Sequence, residues 1–438
     1  MCNEPPRWEL VCDRKWLVEH VTMVFMVGIM VGSIFGGYFS DRFGRKPTFI
    51  CAAVLCAILG VCNALAPTYI LFLITRFLLG IVLYAEGMCE VTLVMELTTS
   101  NYRNIVGGLF YIPCALGYTA VAGLAYVTRA WRTMILVISA PCFLTVIYWW
   151  LIPESPRWLL VKRRISPAEK EIRAGAKRNS SNLPSNIDFE KISDNLLGDE
   201  YKLKKNEEGI LDLFKYPTLI RRSIILCFIW FVVNLVYYGL SLNVSSFAGN
   251  LFVNNAVSGL VEIPAYVLAV FLLFWARKKA LCLTLLLAGF SLIAVPLLPK
   301  HIGGTFLQTF LAMMGKFAIS ISFSVVYIVT IEVYPTPIRT SGLAASSCIG
   351  RIGSAIAPYI SGVSKLGGVN KQLPLLIFGA FGLSAAVLCL LLPETQGKKL
   401  PETVQDSITF KAEEKFSPIN TDDDRQEKAA LELAPVIQ

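Results

Sequence analysis

Histidine is almost absent from these 438 residues: only His20 and His301 occur, both near the ends of expected helices. So few imidazoles make a histidine metal centre an unlikely design, and no nucleophile–base constellation, phosphate loop or metal cluster points to an enzyme. Charge is also scarce, at 16% against about 25% in soluble domains. Cysteine is not scarce, but ten of the 12 lie in or beside apolar runs without metal-ligand spacing and read as small buried hydrophobes. Cys2 and Cys12 precede the first run and could form a disulfide if that segment lies outside a cell.

What is abundant is apolar sequence: 55% of residues are hydrophobic and mean hydropathy is clearly positive. Runs of about 20 apolar residues recur, which is the length a helix needs to cross a bilayer. The expected fold class is therefore all-α, a polytopic membrane bundle in a lipid bilayer. Eleven spans are expected, near 19–39, 47–66, 69–95, 104–127, 131–152, 222–244, 255–276, 279–298, 304–331, 338–363 and 373–392. They form an N-terminal half over 19–152 and a C-terminal half over 222–392. A polar stretch, 153–221, reads as a soluble linker with short helices, and the tail 393–438 as largely disordered.

The formal net charge is +9, and its placement matters more than its size. DRFGRK (41–46), Arg103, the linker, ARKK (276–279) and Arg339 all fall on one face, whereas APT (66–68) and LGGV (366–369) opposite carry few bases. The positive-inside rule makes the basic face, with linker and tail, cytoplasmic. Membrane topology thus accounts for the charge, and no nucleic acid is expected. Of two glycosylation sequons, Asn243-Val-Ser is external but close to the membrane, and Asn179-Ser-Ser lies in the linker.

The chain repeats itself. Glu96 and Arg103 bracket six residues, as do Glu332 and Arg339, at an offset of 236; PES (153–155) and PET (393–395) close the halves at an offset of 240. The span at 222–244 then lacks a counterpart before residue 1. We expect a six-plus-six plan whose first helix is absent through truncation, splicing or a gene-model error, with residues 1–18 outside. Parallel repeats of this kind belong to transporters.

The loop GGYFSDRFGRKP (36–47) contains Gly37, Asp41, Gly44 and Arg45 in the order G-x3-D-x2-G-R-[KR]. It resembles the cytoplasmic gate motif of the major facilitator superfamily. Within that superfamily, WELVCDRKWL (8–17), PESPRWLL (153–160), VEIPAYVL (261–268), GKFAISISFSVVYIVTIEVYPTPIR (315–339) and LPETQGKKLPET (392–403) resemble solute carrier family 22, the organic cation, anion and carnitine transporters. The resemblance covers roughly 8–403 and is strongest to the organic cation/carnitine branch. It implies that residues 1–18 are a remnant of an external loop. The second gate, ARKKA (276–280), keeps its bases but lacks aspartate and glycine, and TTSNYR (98–103) stands where that branch often has a nucleotide-loop-like GKS.

The resemblance implies a cavity lined by Trp230, Tyr237, Tyr266, Phe323 and Tyr327, an aromatic enclosure suited to ammonium groups through cation–π attraction. Arg351, in SSCIGRIGSAIAP (346–358), is expected to face the interior, since lipid exposure of arginine costs at least about 2.5–3.5 kcal/mol. The resemblance reads it as a carboxylate clamp, with a structural ion pair to an intramembrane acid as the alternative. Glu86, Glu90 and Glu262 are the acids to weigh. Glu86 and Glu90 are candidates for a coupling sodium ion or proton, or for an internal pair with Arg76; no other cofactor is expected. Glu96, Arg103, Glu332 and Arg339 read as conformational latches.

The expectation is a plasma-membrane carrier of small organic ions, carnitine-like zwitterions among them, working by alternating access. One alternative is a transport-inactive product acting through interactions. Another is a sugar carrier, although CFIWFVVNLVYYGL (227–240) lacks the paired glutamines expected there.

Overall fold

The computed structural model describes residues 16–181, 183–184, 187–205, 216–244, 249–298, 304–335, 338–364, 370, 372–396, 401 and 407. Cys2, Cys12, His301 and most of the expected tail lie outside that set. Every regular element among the described residues is helical.

The first half contains α1 (Trp16–Phe43), α2 (Arg45–Leu65), α3 (Tyr69–Leu97), α4 (Ser100–Leu109), α5 (Ile112–Thr128), α6 (Trp131–Leu144) and α7 (Tyr148–Leu151). The second contains α11 (Pro217–Asn243), α12 (Leu251–Trp275), α13 (Arg277–Leu297), α14 (Gly304–Val333), α15 (Arg339–Val363) and α16 (Leu373–Cys389). Between them, α8 (Pro156–Val161), α9 (Ile165–Arg178) and α10 (Phe189–Lys205) gather around Trp158, Leu160, Ile172 and Phe189 as a small separate core. Nine segments among the described residues are long and apolar enough to cross a membrane; α16 is apolar but shorter, and α15 is not among the nine.

Two expected spans are interrupted. The stretch 104–127 breaks between α4 and α5 at Phe110 and Tyr111, with Pro113 in the first turn of α5. Proline is tolerated there because first-turn N–H groups have no intrahelical acceptor. The stretch 131–152 divides into α6, a 3-10 turn over Thr145–Ile147, and α7, after Pro141 within α6.

Glycine sets how closely the helices cross. Gly28, Gly32 and Gly36 recur every fourth residue on α1, and a methyl group on any of them would meet the α3 backbone at Phe77, Ile81 or Ala85. On α15, a methyl group on Gly353 would meet the Phe231 carbonyl of α11, and one on Gly350 would press on Asn234 and Trp230. Small residues at helical spacing let backbones approach where lipid offers no hydrophobic drive to association. The halves meet along α1 against α15 and α5 against α12.

Candidate functional site

Arg351 is buried, at 4% exposure, and its guanidinium crosses from α15 to the other half. One terminal nitrogen donates to the Tyr84 hydroxyl on α3 at 2.8 Å, and the guanidinium carbon lies 4.6 Å from that ring's centroid. A second nitrogen reaches the Tyr238 hydroxyl at 3.5 Å, while Nε has no hydrogen-bond partner. Among the described residues no carboxylate pairs with it. Neutral hydroxyls and one ring face are a weak complement for a buried cation.

A second charged group lies between α11, α12 and α14. Lys316 Nζ on α14 is 2.8 Å from Glu262 Oε1 on α12, with both side chains almost wholly buried. The Tyr237 hydroxyl donates to both Glu262 oxygens at 3.0 Å, and the Tyr266 hydroxyl donates to Oε2 at 3.1 Å. Lys316 also donates to Ser241 Oγ at 2.6 Å and stands 3.5 Å from the Tyr237 ring centroid. The expected enclosure therefore carries its own acid and its own cation. Both lie within the quoted stretches VEIPAYVL and GKFAISIS, and membrane depth alone marks Lys316 as strongly as it marks Arg351.

The expected aromatics are brought together, but in different roles. Phe323 lies 5.1 Å from Tyr237 and 5.9 Å from Tyr327, centroid to centroid. Tyr111, held at the break between α4 and α5, adds a ring from the first half, 5.5 Å from Tyr266 and 6.3 Å from Phe323. Trp230 is fully buried behind this group: its Nε1 donates to Thr330 Oγ1 at 2.9 Å, and its ring meets Tyr327 edge-on at 4.5 Å. It braces Tyr327 and has no exposed face. Tyr84, Tyr111 and Tyr238 escape sequence reading because their partners lie on remote helices.

Glu86 and Glu90 form no ion pair with Arg76, whose guanidinium instead lies over Phe72 and Phe25. Ten residues of helix separate Arg76 from Glu86, a rise of about 15 Å. Glu86 is half-buried with Cys56 of α2 and Glu90 as its electrostatic neighbours, and Glu90 is exposed.

On the face that carries the linker, Glu96 and Glu332 each bond an arginine from the start of a neighbouring helix. Glu96 bonds Arg45 at 3.1 Å, and the Arg103 side chain is outside the described set. Arg45 also pairs with Asp41 at 2.9 Å, and Gly44 takes φ 111°, a conformation glycine adopts without strain. Glu332 bonds Arg277 at 2.8 Å, while Arg339 donates to the carbonyls of Tyr334 and Pro401. Gly37 faces open space. Each half then closes in the same way. Glu154 accepts the N–H groups of Arg45, Lys46 and Ser155, and Glu394 accepts those of Arg277, Lys278, Lys279, Thr395 and Gln396. The degenerate second gate keeps the one base this arrangement needs. Burial pushes the Glu394 carboxyl up, but these backbone donors outweigh it and hold the group below its ordinary value.

Cross-half side-chain contacts run from this central level toward the end away from the linker: Tyr84–Arg351, Tyr111–Tyr266, Tyr118–Asn255 and His20–Tyr359. Two pseudo-repeated helical halves around buried charges define a multi-pass membrane transporter of the major facilitator type. A protein-family model described as "Sugar (and other) transporter" matches residues 12–406. The Drosophila melanogaster "Organic cation transporter protein" is 39% identical over 408 residues, covering 92% of this chain and 73% of that protein. The Xenopus tropicalis "Solute carrier family 22 member 15-like" protein is 35% identical over 409 residues, covering 91% and 80%. The inward-open structure of the xylose transporter XylE from E. coli superposes with a TM-score of 0.66 at 20% identity, covering 89% of this chain and 88% of that one, and shows the shared fold. The chain belongs to solute carrier family 22; it is a transporter and not an enzyme.

Proposed function

We propose that this transporter carries small organic ions bearing a carboxylate, carnitine-like zwitterions foremost, by alternating access across the plasma membrane, with linker and tail in the cytoplasm. The observation that carries this reading is Arg351: buried, without a carboxylate partner among the described residues, and with Nε unbonded. A guanidinium in that state is completed by a planar anion, which it can grip with two parallel bonds. The Glu262–Lys316 pair is neutral as a unit and so does not compensate the charge of Arg351. Phe323, Tyr327, Tyr111 and the rings of Tyr237 and Tyr266 supply the apolar walls and cation–π faces for an ammonium end.

Carnitine uptake into cells expressing this chain, above that of mock-transfected cells, eliminates a transport-inactive product. Replacing the guanidinium in Arg351→Ala is expected to lower kcat/KM for carnitine by about 30-fold or more, the usual consequence of truncating a buried charge-assisted contact. Tetramethylammonium uptake should change far less. Carnitine uptake left intact while tetramethylammonium uptake collapses would refute the clamp.

A further inference from the structure

The place that suits an ammonium group already holds one. Lys316 Nζ is 2.8 Å from Glu262, 3.5 Å from the Tyr237 ring centroid and 2.6 Å from Ser241 Oγ, while two tyrosine hydroxyls satisfy the far side of the carboxylate. A carboxylate and an aromatic ring that converge on one ammonium nitrogen make an alkylammonium site by their chemistry. Stability alone is a poor reason for such a pair, because desolvating two charges offsets most of their attraction and apolar side chains would hold the helices together as well. The lysine head is a compact point charge on a flexible stem, so it can leave and return. The carboxylate lies close to the other half, where Cys114 of α5 is its electrostatic neighbour and Tyr111 covers Tyr266.

We propose that Glu262, Tyr237 and Tyr266 form a cation subsite for small alkylammonium groups, and that Lys316 is its tethered occupant. A substrate ammonium enters by displacing the lysine, so Lys316 determines specificity: a lone cation meets an occupied seat, whereas a zwitterion gains the additional hold of Arg351. This rests on the central face being the substrate path.

Lys316→Gln vacates the seat without shortening the side chain greatly. Tetramethylammonium KM is expected to fall about tenfold, the size of one desolvated cation–π contact. The gain should vanish in the Glu262→Gln/Lys316→Gln double variant. An equal loss for tetramethylammonium and for a carboxylate-only probe such as butyrate, or no change in either, overturns the proposal. Should Lys316→Gln fail to reach the membrane, Lys316→Ala grown and assayed in methylammonium decides the matter. The free cation is expected both to restore surface expression and to compete with tetramethylammonium. Restoration without competition, or no restoration, overturns the proposal. Arg351→Ala measured beside these variants separates the two readings, since it acts on carnitine through the carboxylate and leaves the Lys316 effect on tetramethylammonium in place.

Discussion

The α3 and α14 spans occupy matching places in the two halves and are almost equal in mean hydropathy, yet 17% of the α3 span is buried against 72% of the α14 span. The neighbouring pair, α2 and α13, hardly differs, at 50% and 56%. Composition therefore does not set the contrast. The difference is α11, which packs on α14, α15 and α16 and has no counterpart among the described residues of the first half. The glycines record the same asymmetry. Gly353 on α15 is pressed against the α11 backbone, whereas Gly117, at the offset of 236 on α5, meets nothing within 4 Å. A small residue permits a close helix crossing, but only a partner helix turns that permission into burial.

The comparison breaks most visibly at tryptophan. Trp230→Ala, in the packed half, is expected to cost about 3–5 kcal/mol through the cavity it leaves. Trp150→Ala, at 74% exposure in the first half, is expected to stay within about 0.5 kcal/mol. Thermal unfolding of both variants in the same detergent checks this, and equal losses would dissolve the contrast. At the linker face the halves should instead agree. Arg45→Ala and Arg277→Ala each remove the base that bonds the acid near the end of α3 or α14, so each is expected to cost about 1–3 kcal/mol by the same assay. A difference of more than about twofold would mean that the two latches are not equivalent.

The smallest effect is a pH dependence. Glu394 binds its proton less readily when folded than when unfolded, because backbone N–H groups stabilise its charged form. Its contribution is present above the ordinary carboxylate range and is lost only as pH falls through the depressed folded value. The stability difference between the parent and Glu394→Gln should therefore stay constant from neutral pH down to about pH 5 and shrink below it. A difference that shrinks between neutrality and pH 6 would contradict that assignment.

Much of the architecture is legible in the chain. Apolar run length marks the helices, because an unpaired peptide group in hydrocarbon is too costly for any other spanning form. The offsets of 236 and 240 reveal two halves, and the cost of membrane arginine brings Arg351 inward. Interrupted helices were less visible, since proline in a first turn leaves a hydrophobic run looking continuous. The bases that Glu96 and Glu332 bond were not legible: Arg45 and Arg277 lie 51 and 55 residues upstream and are brought near by a helix crossing.

By itself, the sequence determined the all-helical membrane fold, the internal repeat, the family and the inward placement of a costly charge. These follow from local composition and spacing, which a bilayer makes unusually decisive. Only the tertiary structure decided which charge meets which. Glu262 takes Lys316 and two tyrosine hydroxyls, while Arg351 takes Tyr84 from the opposite half and is left without an acid among the described residues. The physical reason is distance. Electrostatic and hydrogen-bonding partners are chosen over a few ångströms in three dimensions, between helices that are far apart along the chain.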